Sequence, residues 1–320
     1  MSYPVLSIII ISYNTKELLE QCIESIIKSL TNSRINELKK IEIIVVDNNS
    51  KDGTREYLKK LQTTNFKFQT SFKHQTSNIK LQTILNDQNL GFAKANNQGI
   101  KIARGEYILL LNSDTKIIER DFFGKILKFL DSHPKVGILG PQLLWEDGKI
   151  QASGGYFPTL ERIFFWAFFL DDLPILGNII HSYHPHTPSF YWKNKYYQNY
   201  HQQDWITGAC FFIRKEIINK IGVLDEKFFM YVEELEFCYR AKKAGFETIY
   251  YPRAKIIHLG GKSGTSLGAT IGEFQGLKYF YKKHKPKWQL PILKFLLKTA
   301  AFWRFLFFDR KIYRQVLVKF

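Results

Sequence analysis

The chain has 320 residues and the 45% apolar content of a globular protein, enough for one large domain or two ordinary ones. Its net charge is +17, and residues 278–320 carry 12 Lys or Arg against one acidic residue, so +11 of that charge lies in the C-terminal tail. Cys22, Cys210 and Cys238 are too few and too widely spaced for a disulfide framework or a zinc site, and no stretch approaches the ~20 apolar residues of a membrane span.

Residues 5–11 have no basic flank and read as a first strand, not a signal peptide. Residues 12–15 form its turn, and 16–30 read as a helix with Leu18, Leu19, Cys22, Ile23, Ile26 and Ile27 on one side. A second strand over 41–46 ends at Asp47, followed by a loop of turn formers over 48–54 and a helix near 55–61. The polar segment 63–80 reads as a surface loop. A third strand is expected over 81–85 and a helix over about 92–103. A fourth strand, 107–111, is a continuous apolar run that stops at Asn112, Ser113 and Asp114. Strands alternating with helices predict an α/β fold with a mostly parallel central sheet flanked by helices.

The second half is less regular. A helix over 122–130 and a short strand over 136–139 lead into 140–204, rich in Gly, Pro, His and aromatics. Within it, the apolar run 163–170 fits either the core or a segment dipping into a surface. A strand over 205–213, a helix within 228–244 closed by Gly245, and two short strands around Pro252, 247–251 and 255–258, follow. The tail is expected to hold a helix over 271–283 and, after Pro286, an aromatic helix with Lys287, Lys294 and Lys298 on one face. Such a helix either lies in a membrane interface or docks on the domain with its lysines in water.

Ligands of open α/β sheets bind beyond the carboxyl ends of the strands. Each of the first four predicted strands meets polar residues there. Tyr13 offers a ring to stack on a nucleobase, and Asp47 a carboxylate for a base N–H or a ribose hydroxyl. Asn89 and Gly91 follow strand three, and Asn112 and Asp114 follow strand four. The last two present hard oxygens suited to Mg²⁺ or Mn²⁺ holding a diphosphate, or else simply cap the strand. No G-x-G-x-x-G follows strand one, which excludes a dinucleotide-binding Rossmann domain. Residues 260–264 lack the spacing of a phosphate loop, so Lys262 reads as part of a flexible connection.

Glu233, Glu234 and Glu236 place three carboxylates in four residues. Glu236 and Arg240 have ion-pair spacing, and Glu234 lies about 100° from Glu233 around a helix, so the two differ in role. A carboxylate aimed into a crevice can deprotonate a hydroxyl, while a solvated charged face is the plainer reading. His258, at a strand end, could complete a metal shell; His181, His184 and His186 lack acidic or Cys partners for one.

Several separated segments carry a resemblance. They are Ser-Ile-Ile-Ile-Ile-Ser-Tyr-Asn at 7–14, Val-Val-Asp-Asn-Asn-Ser-Lys-Asp-Gly-Thr at 45–54, Asn-Leu-Gly-Phe-Ala-Lys-Ala-Asn-Asn-Gln-Gly at 89–99 and Leu-Leu-Leu-Asn-Ser-Asp-Thr at 109–115. With Trp-Ile-Thr-Gly-Ala-Cys at 205–210 and the segment 229–240, the chain resembles the family 2 glycosyltransferases of the A-type fold, closest in look to rhamnosyltransferase-like members. The resemblance covers about residues 5–261. It implies a nucleotide-sugar catalytic domain over 1–270, followed by a basic amphipathic helical region over 271–320.

It further implies nucleotide contacts from Tyr13, Asp47, Asn89, Gly91 and Asn112. Asp114 would bind the metal, Mg²⁺ or Mn²⁺, in a variant of the Asp-x-Asp motif whose first acid is Asn112, with His258 as an added ligand. Glu234 would be the base, here in Glu-Glu-x-Glu where Glu-Asp-x-Asp is usual. Trp205, Thr207, Gly208, Ala209 and Glu233 fall at the sugar and acceptor pocket. The implied reaction is one inverting displacement from a dTDP- or UDP-sugar, rhamnose among the candidates, to a lipid-linked glycan in cell-surface polysaccharide synthesis. The implied place is cytoplasmic, on the inner face of the cell membrane. The basic tail independently suits an anionic membrane surface, and its apolar content argues against nucleic acid. The Asn112 and Glu234 departures leave one alternative, a catalytically weak nucleotide-sugar-binding partner of a larger synthase.

Overall fold

The computed structural model describes residues 4–31, 41–63, 80–173, 175–183, 197–260 and 266–319. The polar segment expected over 63–80 lies almost wholly outside them, as do His184, His186 and Lys262.

Three apolar strands set the centre: β1 (Leu6–Ser12), β2 (Ile41–Asp47) and, further along, β4 (Tyr107–Asn112). Their side chains alternate between two cores. Leu6, Ile8 and Ile10 of β1 face one, with Ile43, Val45, Leu109 and Leu111; Ile9 faces the other, with Ile44, Val46, Ile108 and Leu110. Strands apolar on both faces need helices on both faces. The first core is covered by α1 (Lys16–Thr31), α2 (Thr54–Thr63) and α4 (Phe122–Ser132). The second is covered by α3 (Phe92–Ile102) and by helices from the C-terminal half.

Among the described residues one ten-stranded sheet forms, also containing β3 (Lys80–Leu85), β5 (Thr115–Ile117), β6 (Val136–Leu144), β7 (Ile150–Gln151), β8 (His201–Gln203), β9 (Cys210–Arg214) and β10 (Glu247–His258). The order is β3-β2-β1-β4-β9-β6-β10-β5, with β7 on β6 and β8 on β10. The first four strands are parallel, as expected; β9 runs antiparallel to both its neighbours, so the sheet is mixed beyond β4.

The irregular half holds more order than its composition announced. β6 continues through Gly140 and Pro141 to Leu144. The two strands expected around Pro252 are one, β10, whose register against β6 shifts between Tyr251 and Lys255. A proline has no N–H for the ladder, and the shift absorbs it. Of residues 205–209, expected as strand, Trp205 pairs only in an isolated bridge with Gly155, and 208–209 form a turn before β9. The apolar run at 163–170 overlaps α5 (Leu160–Ala167), which buries Ile163 and Ala167 and leaves Phe164 exposed. α6 (Leu176–Ile179) and α7 (Lys215–Ile221) are short, and α8 (Glu233–Lys243) ends where Gly245 takes φ +93°.

The tail folds as α9 (Ser266–His284), α10 (Gln289–Phe307) and α11 (Arg310–Lys319). Position 270 lies inside α9, whose Phe274, Leu277, Phe280 and Tyr281 are buried in the second core. α10 docks on that core through Leu293, Leu296, Leu297 and Ala301, while Lys287, Lys294 and Lys298 stay exposed. Its outer side also exposes Phe295 and Phe307, each about two-thirds accessible (67% and 66%). Among the described residues no helix is long and apolar enough to cross a membrane.

Candidate active site

Strand register aligns the candidate residues before any side chain is considered. Ser12 pairs with Asp47, Asp47 with Leu85, and Ile11 with Asn112, so β1 to β4 end flush. The loops beyond them are laced together. Asn48 donates to the Asn89 side chain (2.8 Å) and to the Gly91 carbonyl (3.2 Å), and the Leu90 N–H donates to Asn48 Oδ1 (3.0 Å). Gly91 has φ +80°, and a Cβ there would stand 2.4 Å from the Phe229 carbonyl oxygen, which the Phe92 N–H binds at 2.7 Å. Only glycine tolerates both conditions.

Asp114 follows β4 and is 2% exposed. The pairing of His258 with Thr115 brings the end of β10 beside it. His258 Nε2 lies 3.4 Å from Asp114 Oδ1, and His258 Nδ1 is 2.8 Å from Gln151 Oε1. The Gln151 amide oxygen only accepts, so Nδ1 carries the proton, and in a neutral ring Nε2 turns a lone pair toward Asp114. Asp114 Oδ1 is buried and accepts no hydrogen bond. Two lone pairs facing one another ask for a cation between them, so an oxygen and an imidazole nitrogen here fit Mg²⁺ or Mn²⁺. Among the described residues no cluster of three His, Cys, Asp or Glu forms, which leaves the rest of a coordination shell to a ligand's oxygens.

Glu233 and Glu234 open α8. The chain enters that helix through Tyr231 and Val232, at φ 71° and 72°. Left-handed backbone is rare for any side chain and rarest for a β-branched one, and costs of order 1–3 kcal/mol per residue. α9 holds the turn in place. A Cβ on Gly276 would lie 2.7 Å from Val232 Cγ2, and one on Gly272 would lie 2.9 Å from the Met230 carbonyl oxygen. The third carboxylate is structural. Glu236 pairs with Arg240 (2.9 Å), and with Lys283 (2.7 Å) and His284 (2.9 Å) of α9.

Entering this way, both Glu233 and Glu234 reach the same cavity despite their separation around the helix. Glu234 accepts from the Gly208 N–H, and its Oε2 has no partner. Burial pushes the Glu234 carboxyl up to about 7, with the Glu273 charge adding to it; burial and the charge of Glu234 raise Glu233 as well.

That cavity, of about 220 Å³, gathers Tyr13, Asn89, Gly91, Asn112, Asp114, Thr207, Gly208, Ala209, Glu233, Glu234 and His258. Two expected site residues stand apart. Asp47 is fully buried behind it, with Oδ2 accepting from the Ser50 N–H (3.2 Å) and facing Arg55 (3.6 Å). Trp205 lines the neighbouring cavity. Sequence reasoning missed Gln151, Asn48 as the lacing residue, and Tyr231. Asn48 had a signal in its position after β2; Gln151, in a two-residue strand, had none.

The sequence model of the family described as Glycosyl transferase family 2 matches residues 7–222, more than half of the chain. The chain belongs to this family. An N-acetylglucosaminyl-diphospho-decaprenol L-rhamnosyltransferase of Mycobacterium tuberculosis is 24% identical over 310 residues, covering 90% of this chain and 88% of that one. The low-salt glycan biosynthesis hexosyltransferase Agl10 of Haloferax volcanii is 29% identical over 243 residues, 74% of this chain and 62% of that one. The uncharacterized protein y4gI of Sinorhizobium fredii is 24% identical over 257 residues, and there the match spans only 24% of the relative's length. Among solved structures, mannosyltransferase PcManGT from Pyrobaculum calidifontis with GDP-Man and Mn²⁺ has a TM-score of 0.56 at 16% identity, over 100% of this chain and 80% of that one. GalNAc-T7 with UDP, GalNAc and Mn²⁺ has 0.57 at 15% identity, over 96% and 58%. These likenesses show the A-type fold of this family 2 chain.

The Gly276 contact yields a prediction. Gly276→Ala overpacks the α8–α9 contact and lowers stability by about 1–3 kcal/mol, read by urea denaturation. An unchanged midpoint would mean that α9 does not hold the Tyr231–Val232 turn.

Proposed function

We propose that this family 2 member is an inverting, metal-dependent glycosyltransferase that moves a sugar from a nucleoside diphosphate to a hydroxyl of a lipid-linked glycan. The observation that carries this reading is the single cavity holding Asp114, His258 and Glu234 together. A bound Mg²⁺ or Mn²⁺ would neutralise charge growing on the departing diphosphate. Asp114 and His258 would hold it, with Gln151 orienting His258. Tyr13, 38% exposed at the cavity's edge, stacks on the nucleobase. A UDP- or dTDP-sugar is the donor of this reading, and Asp47, fully buried behind the cavity, steadies the loop beyond β2 through the Ser50 N–H. Rhamnose is the sugar named for the mycobacterial relative and the first to try.

Glu234 takes the acceptor proton as the acceptor oxygen forms its bond to the anomeric carbon. The bond from that carbon to the diphosphate oxygen breaks, and its electron pair leaves with the nucleotide. Attack opposite the leaving group inverts the anomeric centre.

The acceptor reading is supported by the diphospho-decaprenol in that relative's name and by the tail. Exposed Trp288, Phe295, Phe307 and Phe308 beside Lys287, Lys294 and Lys298 suit an anionic bilayer, where each Lys gains about 1 kcal/mol. These features support a peripheral position on the inner membrane face, in surface polysaccharide synthesis, with residues 271–320 as the membrane-facing part of the fold.

Two outcomes follow. Glu234→Gln lowers transfer by about 10²–10⁴-fold while leaving nucleotide binding intact. Because Glu234 acts deprotonated and is raised to about 7 by burial, with the Glu273 charge adding to it, wild-type kcat/KM for the acceptor falls as pH drops below about 7 and levels above it. Transfer undiminished in the variant would refute the base assignment; nucleotide binding without turnover in the wild type would favour the synthase-partner alternative. Second, UDP or dTDP raises Tm in Mn²⁺ and not in EDTA, as thermal denaturation reads; equal shifts in both would remove the metal from the account.

A further inference from the structure

Glu234 also borders a second cavity, of about 620 Å³, which shares Thr207, Tyr231 and Glu234 with the first. Neither Asp114 nor His258 lines it. Its walls are Trp166, Tyr183, Trp205 and Tyr231, with Glu273 and Arg304 as charged groups. The volume falls within the range of small-molecule sites, about 300–1,000 Å³, and mostly apolar and aromatic walls with a few placed polar groups are what such sites use. Aromatic rings pack on the C–H faces of a pyranose, and a carboxylate accepts from its hydroxyls.

The groups are braced. Trp205 Nε1 donates to the carbonyls of Tyr156 (3.2 Å) and Tyr183 (3.1 Å), which fixes the ring. The Tyr183 hydroxyl donates to Glu273 Oε1 (3.1 Å). The Arg304 guanidinium stacks 4.0 Å from the Trp166 ring centroid and donates to the Trp166 carbonyl (3.0 Å), so α10 sets the position of Trp166. Glu273, Arg304 and Tyr313 belong to α9, α10 and α11, beyond residue 222 where the family match ends.

We infer that this cavity is the acceptor subsite, that it takes the terminal pyranose of the acceptor glycan, and that the C-terminal helices select it through Glu273. The inference rests on the proposed function, since it needs Glu234 to be the base. A base between two cavities has the donor's anomeric carbon on one side and the attacking hydroxyl on the other. The tail then links membrane and chemistry, because the helices whose outer side meets lipid wall the acceptor site with their inner side.

The test uses the full chain with Mn²⁺ and UDP or dTDP. Citronellyl diphosphates of N-acetylglucosamine, glucose and galactose are titrated in while tryptophan emission is followed, since Trp166 and Trp205 line the cavity. At least one probe gives a saturable change in the wild type. Glu273→Gln raises its half-saturation about tenfold or more, as loss of a hydrogen bond to a charged group does, while the Tm gain from nucleotide and Mn²⁺ stays the same. Trp166→Phe, a milder change of the wall, weakens the same probe and leaves the nucleotide effect alone. No saturable change with any probe, or a Glu273→Gln titration that overlays the wild type, overturns the inference. Failure of the nucleotide to stabilise the wild type instead counts against the proposed function, so the two failures are distinguishable.

Discussion

The site depends on a strained turn held by a close helix contact. Tyr231 and Val232 sit in left-handed backbone, and the glycine side of α9 presses on them where any Cβ would collide. Relaxed, the turn would swing the first residues of α8 away from the strand ends. Held, it points two carboxylates at the crevice. The ties from Lys283 and His284, at the end of α9, to Glu236 in the first turn of α8 fasten the same two helices. Strain at a functional position persists only where the surroundings over-determine it, and α9 supplies that constraint here.

The opposite wall is set by sheet register. Parallel β1, β2 and β4 end together, and β10 returns to place His258 beside Asp114. The Asp114 side is thus rigid sheet, while the Glu234 side is a helix start braced by the tail. Tyr231, at the turn, lines both cavities that Glu234 borders.

The sheet centre was legible because β1, β2 and β4 are uninterrupted apolar runs that stop at polar residues, a pattern that burial on both faces requires. The parallel order and the clustering of Tyr13, Asn89, Asn112 and Asp114 followed from it. Legibility failed where structure is made by contact and not by periodicity. β7 is two residues long, so nothing announced Gln151 as the partner of His258. Pro252 read as a break, yet β10 carries it by shifting register. α9 starts at Ser266, before the expected 271, and its Gly272 and Gly276 serve close packing against the Met230–Val232 turn, which periodicity does not announce. α10 docks its apolar side on the core with its lysines exposed, which is the docked reading of the tail, and its outer side is aromatic.

The central claim is that one cavity joins a metal-binding carboxylate to a catalytic one. Anomalous diffraction from crystals grown with Mn²⁺ and UDP or dTDP tests it most directly. The account predicts a manganese peak in direct contact with Asp114 and His258, with the diphosphate between that peak and Glu234. A peak elsewhere, or a nucleotide bound outside this cavity, would contradict it.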